Sequence, residues 1–289
     1  MSQLRCVVDS RDTLGEGPIW SPRDGRVFWF DIKGKKLRWF SPEDGGDGAW
    51  DLPIRCSAAA PRESGGLIVA CEAGLAGFDL SQGALTVINK VPLPEGFRSN
   101  DGKIDVAGRF WWSSMDDDHG NRPGDFYCTT PDGFTEKVLE GIHIPNTISC
   151  SPAGDRLYVA DSKLQTIFVH DMDPKTGALS NRREFASTKG EAGAPDGSAV
   201  DAEGYLWNAQ WGASRIVRYA PDGRVDRIIE TPVEQPSSCA FGGPDLATLY
   251  VTTAREYLTD ADLERQPQAG GLFAFEPGVK GLALPSFAA

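Results

Sequence analysis

Four short stretches of the sequence combine an acid or an amide with glycine or proline, directly ahead of an apolar segment that could form an inner β-strand. An oxygen-bearing side chain placed there would be held on rigid backbone while projecting into open space. The clearest case is Asp196, because two strand-like segments rich in apolar and aromatic residues follow it within residues 193–212. The four stretches are LGEGP at 14–18, RSNDG at 98–102, IPNT at 144–147 and APDG at 194–197.

Carboxylate and amide oxygens in these stretches are hard donors, which suit Ca²⁺, Mg²⁺, Mn²⁺ or Fe²⁺ rather than a thiolate zinc site. The alternative is that Asp-Gly and Asn-Thr build turns by bonding to their own backbone, which is the more frequent explanation for any one of them alone. Glu16 resists this alternative best, because glutamate is a poor turn former and this one lies between two glycines ahead of Pro18. A divalent-metal or catalytic site is therefore a hypothesis for these stretches.

Other catalytic chemistries lack their motifs in this chain. His119, His143 and His170 are the only histidines, and no G-x-S-x-G segment would pair one of them with a nucleophilic serine. No G-x-G-x-x-G or P-loop segment supports nucleotide binding. The six cysteines lie far apart without a C-x-x-C pair, so we expect buried free thiols.

The composition also limits the partners. A formal net charge of −12 without a basic stripe argues against nucleic acid and fits a small neutral or cationic ligand, although solubility alone would account for it. The first residues contain no apolar core of signal-peptide length, and no later segment is long and apolar enough to span a bilayer. We therefore expect a cytoplasmic protein with no membrane partner, its oligomeric state left open.

The remaining sequence predicts the architecture that must position these residues. The 289 residues include 33 glycines and 20 prolines, and no long amphipathic helical run. A turn followed by two aromatic or β-branched strands recurs about every forty to fifty residues, the length of a four-stranded blade. We predict an all-β, six-bladed β-propeller as one domain over residues 1–289, with a central metal site and a strand at residues 6–9 closing the ring. The six copies begin at Arg23, Ser64, Val106, Pro152, Ala202 and Gly243.

Taken together, the motifs resemble the SMP-30/gluconolactonase/LRE family, the regucalcin-like sugar lactonases. The resemblance extends over almost the whole chain and is closest to bacterial members that open aldonolactones. Five blocks in the right order carry it: LGEGPIW from Leu14, RSNDGKIDVAGRFW from Arg98, PN from Pro145 with SPAGDRLYVADS from Ser151, PDGSAVDAEGYLWNAQWG from Pro195, and CAFGGPDLATLYVTTAR from Cys239.

The resemblance implies a metal site. Glu16, Asn146 and Asp196 would bind one divalent ion at the mouth of the channel, with Ca²⁺, Fe²⁺, Zn²⁺, Mn²⁺ and Mg²⁺ all open. Asp196, within reach of an attacking water as well, is the candidate general base. Thr147 stands where the family usually has glycine after the metal-binding asparagine.

The resemblance also implies a substrate site. Arg98 and Asn100 would contact the sugar, and Asp101, next in the same motif, would assist them. A substrate-contacting glutamate of animal members aligns with Asp118, which lies in a polar loop at residues 116–125 that looks specific to this protein. This loop is expected to form part of a rim or lid, and it leaves the sugar preference open.

Lactone hydrolysis needs a polarised carbonyl, a delivered water and a stabilised oxyanion, which a divalent ion and a carboxylate can supply. We therefore predict a hydrolase of carboxylic ester bonds, a metal-dependent aldonolactonase for a 1,4- or 1,5-lactone of the xylono-, arabinono- or gluconolactone type. One alternative is an organophosphate or aryl-ester hydrolase on the same scaffold, which would need a more apolar pocket. Another is a non-catalytic calcium-binding propeller, which would bind a metal without turnover.

Overall fold

The computed structural model describes residues 3–288, and within them the chain forms six four-stranded antiparallel sheets. In each sheet the strands pair in the order in which they follow one another in sequence, apart from the sheet that joins the two ends of the chain. The first strand of each sheet packs against the first strands of the two neighbouring sheets, so the sheets surround a common channel. The predicted all-β, six-bladed β-propeller is confirmed.

The chain begins with β1 (Arg5–Val8), and blades 1 to 3 follow. Blade 1 contains β2 (Gly15–Ser21), β3 (Arg26–Asp31), β4 (Lys36–Phe40) and β5 (Asp47–Asp51). Blade 2 contains β6 (Cys56–Pro61), β7 (Leu67–Cys71), β8 (Gly74–Asp79) and β9 (Ala84–Lys90). Blade 3 contains β10 (Phe97–Ile104), β11 (Phe110–Asp116), β12 (Gly124–Thr129) and β13 (Thr135–Ile142).

The second half of the chain repeats this plan. Blade 4 contains β14 (Pro145–Cys150), β15 (Arg156–Asp161), β16 (Thr166–Met172) and β17 (Leu179–Ser187). Blade 5 contains β18 (Ala194–Val200), β19 (Leu206–Trp211), β20 (Arg215–Tyr219) and β21 (Val225–Glu230). Blade 6 contains β22 (Pro236–Gly242), β23 (Thr248–Thr253) and β24 (Leu272–Phe275), with a short helix α1 (Asp260–Arg265) between the last two.

The ring closes through the N-terminal strand, as the sequence predicted. β1 pairs antiparallel with β24, with Arg5 opposite Ala274 and Cys6 opposite Phe273. The first strand therefore completes blade 6, and non-covalent pairing of the two ends of the chain holds the ring together.

The inner strands are irregular at the positions that face the channel mouth. The pairing between the first and second strand of every blade shifts register, which is the mark of a β-bulge. The sequence predicts that the four polar stretches directly precede the inner strands, and this is wrong: their acids and amides lie within β2, β10, β14 and β18. A bulge leaves a residue unpaired and re-aims its side chain, so a strand can carry acids and amides here without losing the sheet.

Aromatic side chains fill the spaces between blades. Trp29, Trp111 and Trp207 are at most 1% exposed, and each donates its indole N–H to a buried aspartate. The same aspartates pair with Arg38, Arg109 and Arg218 respectively, so an Asp–Trp–Arg unit recurs in blades 1, 3 and 5. The predicted free cysteines are confirmed for all six: Cys6 is half-buried and the other five are buried.

The C-terminal segment crosses the end of the channel where the inner strands finish. The amide of Gly281 donates to the carbonyl of Leu246, and that of Phe287 donates to the carbonyl of Pro61 at 2.7 Å. Phe287 is fully buried between blades 2 and 3. The segment therefore joins blade 6 to blade 2 across one face. No helix among residues 3–288 is long and apolar enough to cross a membrane.

Candidate metal and substrate site

Five polar side chains from four blades meet at the channel end where the inner strands begin. Glu16 comes from β2, Asn100 and Asp101 from β10, Asn146 from β14 and Asp196 from β18. Each of these side chains belongs to a residue that is 4–7% exposed. Sequence-distant acids and amides therefore share one buried location, because the inner strands of a propeller converge on its axis.

A chain of hydrogen bonds orients the two amides. Nη1 of Arg98 donates to Oδ1 of Asn100 at 2.7 Å, and Nδ2 of Asn100 donates to Oδ1 of Asn146 at 2.8 Å. Nδ2 of Asn146 donates in turn to Oγ of Ser162 at 2.9 Å, and this hydroxyl donates to the carbonyl of Pro195. Because its nitrogen is bound to Ser162, Asn146 keeps its carbonyl oxygen on the side of the cluster, with one lone pair still available.

The carboxylates of the cluster repel one another. Burial, and next the charge of Asp101, raise the pKa of Glu16 to about 8. Burial, and next the charges of Glu16 and Asp101, raise the pKa of Asp196 well above its ordinary value. Burial also raises the pKa of Asp101, although its two oxygens accept hydrogen bonds from the amides of Gly102 at 2.8 Å and Ile148 at 3.0 Å. Backbone amides and the nearby charge of Arg98 also favour the ionised forms of Glu16 and Asp196, but burial and mutual repulsion outweigh them and keep both pKa values raised.

The donor set fits a divalent cation. Within residues 3–288 no three His, Cys, Asp or Glu side chains converge closely enough to form a metal site by themselves. A cation would therefore need the amide oxygen of Asn146 as well as the Glu16 and Asp196 carboxylates. These three groups are hard oxygen donors, which divalent cations prefer. Two of them are buried carboxylates that repel each other, and a bound cation would neutralise this repulsion.

Unusual backbone supports two of these residues. Gly17 has φ of 58°, and a Cβ there would collide with the carbonyl oxygen of Ser57. Thr147 has φ of 59°, a conformation that is strained for a β-branched residue and natural for glycine. Its hydroxyl donates to the carbonyl of Asp196 at 2.5 Å and accepts from Nδ2 of Asn208 at 3.1 Å. These bonds tie blade 4 to blade 5 and hold the threonine in place.

Of the four predicted substrate residues, Asn100 and Asp101 lie in the cluster, Arg98 borders it, and Asp118 does not. Arg98 is 5% exposed and lies next to Asn100. Its positive charge is close enough to lower the pKa values of Glu16 and Asp196, against the larger effect of burial. Asp118, by contrast, is exposed and accepts a hydrogen bond from Asn121 within its own loop. The structure thus brings Glu16, Arg98, Asn100, Asp101, Asn146 and Asp196 together and leaves Asp118 apart. A contact between Asp118 and the substrate stays a prediction.

Three residues near the cluster were not singled out by sequence reasoning. Asp117, half-buried, accepts hydrogen bonds from Lys33, Arg55 and Arg98, each at 2.7 Å. Burial raises the pKa of Asp117, but the bonds from Lys33 and Arg98 outweigh this effect and lower it to about 2. Ser162 carries no sequence signal beyond its place in the ADS block.

Lys103, two residues after Asp101, is the third. Its ammonium donates to the carbonyls of Ser198 and Cys239, joining blade 3 to blades 5 and 6. Its position directly after the RSNDG stretch was the signal that could have marked it.

A large cavity lies at the opposite end of the channel. It has a volume of about 950 Å³ and is lined mainly by apolar side chains such as Ile19, Ala59, Val200 and Phe241, beside the C-terminal segment. No cluster of acids or amides borders it. Convergent polar groups mark a reactive site better than volume does, so the candidate site is the polar mouth.

The chain is similar to known proteins over almost its whole length. The family model described as the SMP-30/Gluconolactonase/LRE-like region matches residues 14–255. The chain belongs to this family. All four polar stretches lie within the matched range.

Several members of the SMP-30/gluconolactonase/LRE-like family align with almost the whole chain. An L-arabinolactonase of Azospirillum brasilense is 40% identical over 99% of this chain and 96% of that protein. A 6-deoxy-6-sulfogluconolactonase of Pseudomonas putida is 33% identical over 99% of this chain and 98% of that protein. The crystal structure of a calcium-binding protein, regucalcin, from Agrobacterium tumefaciens superposes with a TM-score of 0.94, at 33% identity and over 99% of this chain and 97% of that one.

Proposed function

We propose that this protein is a metal-dependent aldonolactonase, which hydrolyses an aldono-1,4- or 1,5-lactone to the aldonic acid. The observation that carries the proposal is the buried Glu16–Asp196 carboxylate pair beside the oriented amide oxygen of Asn146. The names of two relatives, an L-arabinolactonase and a 6-deoxy-6-sulfogluconolactonase, support a sugar lactone as the substrate.

Glu16, Asn146 and Asp196 would hold one divalent cation. Such an ion, when bound, supplies Lewis-acid polarisation of the lactone carbonyl. All three donors are oxygens, so the choice among Ca²⁺, Mg²⁺, Mn²⁺, Fe²⁺ and Zn²⁺ depends on availability as well as on the site. The calcium-binding protein of similar structure supports a cation of this class.

The proposed chemistry uses Asp196 as the general base. Its carboxylate accepts a proton from the water whose oxygen attacks the lactone carbonyl carbon. The bond between this carbon and the ring oxygen then breaks, and the ring oxygen takes up a proton to become a hydroxyl. The carbonyl carbon ends as the carboxyl group of the aldonate.

Recognition of the sugar falls to Arg98 and Asn100 in this proposal. Nη1 and Nε of Arg98 donate to protein acceptors, and Nη2 donates to no acceptor within residues 3–288. This nitrogen can therefore donate to substrate hydroxyls, orienting the ring against the base. The cluster's polarity disfavours the organophosphate or aryl-ester alternative, which needs an apolar pocket.

The proposal is tested by a pH-stat assay of pentono- and hexonolactones after chelation and after return of single divalent metals. The wild-type protein should lose activity on chelation and regain it with at least one metal, whereas Glu16→Gln should not recover. Glu184→Gln, an exposed change on an outer strand, should behave like wild type. Metal binding without turnover of any lactone would contradict the proposal and favour a calcium-binding propeller. Hydrolysis of aryl esters alone would favour the other alternative.

A further inference from the structure

Asp117 directly follows β11, in the loop that leads to β12 of the same blade, and its carboxylate contacts Arg98 at the channel mouth. Its backbone amide donates to the carbonyl of Gly96 at 3.0 Å, which fixes the residue beside the start of β10. Its neighbours point elsewhere: Asp116 pairs with Arg122, and Asp118 is exposed. Of these three consecutive aspartates, Asp117 alone contacts the candidate site.

The Asp117 carboxylate joins three blades through cationic side chains. Oδ1 accepts from Nζ of Lys33 in blade 1 and from Nε of Arg98 in blade 3, and Oδ2 accepts from Nη1 of Arg55 ahead of blade 2. All three distances are 2.7 Å, as expected of charge-assisted hydrogen bonds.

The three cations do not depend on Asp117 equally. Lys33 also lies 3.4 Å from Glu256, and Arg55 pairs with Glu72 at 2.7 Å. Arg98 has no other ionic partner within residues 3–288. Loss of the Asp117 charge would therefore release Arg98 while leaving the other two cations paired.

Arg98 connects Asp117 to the candidate site through its guanidinium group. The bond from Asp117 holds the Nε edge of the guanidinium, Nη1 is held by the carbonyl of Ser99 and by Asn100, and Nη2 stays available to a ligand. A guanidinium fixed at two nitrogens loses little freedom on donating from the third, so its bond to a ligand is stronger than that of a mobile side chain.

We propose that Asp117 is a positioning residue for substrate recognition, which acts by fixing the guanidinium of Arg98. This inference rests on the proposed function for the sugar, but the positioning of Arg98 itself does not. The residue acts through Arg98 and has no role in the proton transfer. Its effect should therefore appear in KM rather than in kcat.

Kinetics test the role with a double-mutant cycle. Asp117→Asn should raise KM about tenfold or more, in line with loss of a charge-assisted hydrogen bond, and change kcat by less than about threefold. In an Arg98→Ala background the same change should have no further effect on KM. Asp117→Glu should restore part of the affinity. Glu72→Gln is the matched control, since Glu72 binds Arg55 in the same network and has a similar exposure, and its KM should equal that of wild type.

A second readout does not depend on any substrate. In protein labelled with ¹⁵N-arginine, the Arg98 Nε–H signal, identified by its loss in Arg98→Lys, should exchange with water at least about tenfold faster in Asp117→Asn, and at the wild-type rate in Glu72→Gln. An unchanged exchange rate in Asp117→Asn would overturn the proposal. So would a KM effect that persists in the Arg98→Ala background. If the wild-type protein hydrolyses no lactone, the proposed function fails, and the exchange measurement still decides the positioning of Arg98.

Discussion

The side-chain amide of Asn100 donates a 2.8 Å hydrogen bond to Oδ1 of Asn146, joining blade 3 to blade 4 at the channel mouth. The same nitrogen donates to the carbonyl of Pro145 at 2.9 Å. A residue proposed to contact substrate thus orients a residue proposed to bind metal. The two halves of the candidate site are therefore built as one network.

Asn100→Ala should weaken divalent-cation affinity by about tenfold or more, because loss of a side chain that orients a metal-binding residue lowers metal affinity on that scale. Isothermal titration of the chelated protein with Mn²⁺ measures it. Asn89→Ala, which removes an amide that joins the outer strands of blades 2 and 3, is the control and should bind as wild type does. An affinity unchanged by Asn100→Ala would contradict the network.

The stability of the metal-free protein should fall as pH rises from about 5 to above 8. Burial, and then the charge of Asp101, raise the pKa of Glu16 to about 8, so the folded state binds its proton more tightly than the unfolded state does. A group of this kind stabilises the fold below its unfolded pKa, and this contribution is lost as pH rises through its folded pKa.

Urea unfolding in the presence of a chelator measures this slope, and Glu16→Gln should make it shallower. Added divalent cation should stabilise the wild-type protein most at the higher pH, because the proton no longer competes for the site. A free energy of unfolding that is as steep in Glu16→Gln as in wild type would contradict the assigned pKa.

Thr147 offers a separate test of strain. Thr147→Gly removes a positive-φ strain of about 1–3 kcal/mol together with the two hydrogen bonds of the hydroxyl, each worth about 1 kcal/mol, so we expect stability to change by no more than about 1 kcal/mol. Thr147→Val keeps the strain and loses both bonds, and should destabilise by about 1–2 kcal/mol. Urea unfolding of both variants compares them. Equal stabilities of the two variants would show that the positive φ at residue 147 costs a β-branched side chain nothing.

The C-terminal segment should contribute to stability through Phe287. Phe287→Ala leaves a cavity between blades 2 and 3 and should lower the free energy of unfolding by about 3–5 kcal/mol. Phe134→Ala removes a side chain that is 62% exposed and should have an effect within about 0.5 kcal/mol. A small effect at Phe287 would mean that the segment is dispensable for the ring.

Much of the fold followed from local patterns. The recurring pairs of strands correspond to the second and third strands of the blades, and the closing strand at residues 6–9 lies within one residue of β1. The crossing of the C-terminal segment was not predictable, because a short stretch such as GLALPSFAA carries no period and its partners are distant in sequence. The anchoring role of Phe287 follows only from its hydrogen bond to Pro61, which is distant in sequence.

The candidate site was also only partly predictable from local patterns in the sequence. Residue type and order pointed to Glu16, Asn146 and Asp196, but their places at β-bulges depend on strand pairing that no local pattern encodes. Among Asp116, Asp117 and Asp118, the one that turns inward is decided by the path of the backbone after β11. At a strand end, consecutive side chains point to opposite sides. Sequence alignment matched Asp118 to the family's substrate-contacting glutamate, and it could not show that the neighbouring Asp117 is the residue that turns inward.

The most direct measurement is anomalous diffraction from crystals soaked in Mn²⁺. We predict a single peak at the channel mouth, with oxygens of Glu16, Asn146 and Asp196 all within about 2.6 Å of it, and its loss in Glu16→Gln crystals. A peak bound by other residues, or these three side chains pointing to separate places in the soaked crystal, would contradict the metal site on which the proposed lactonase depends.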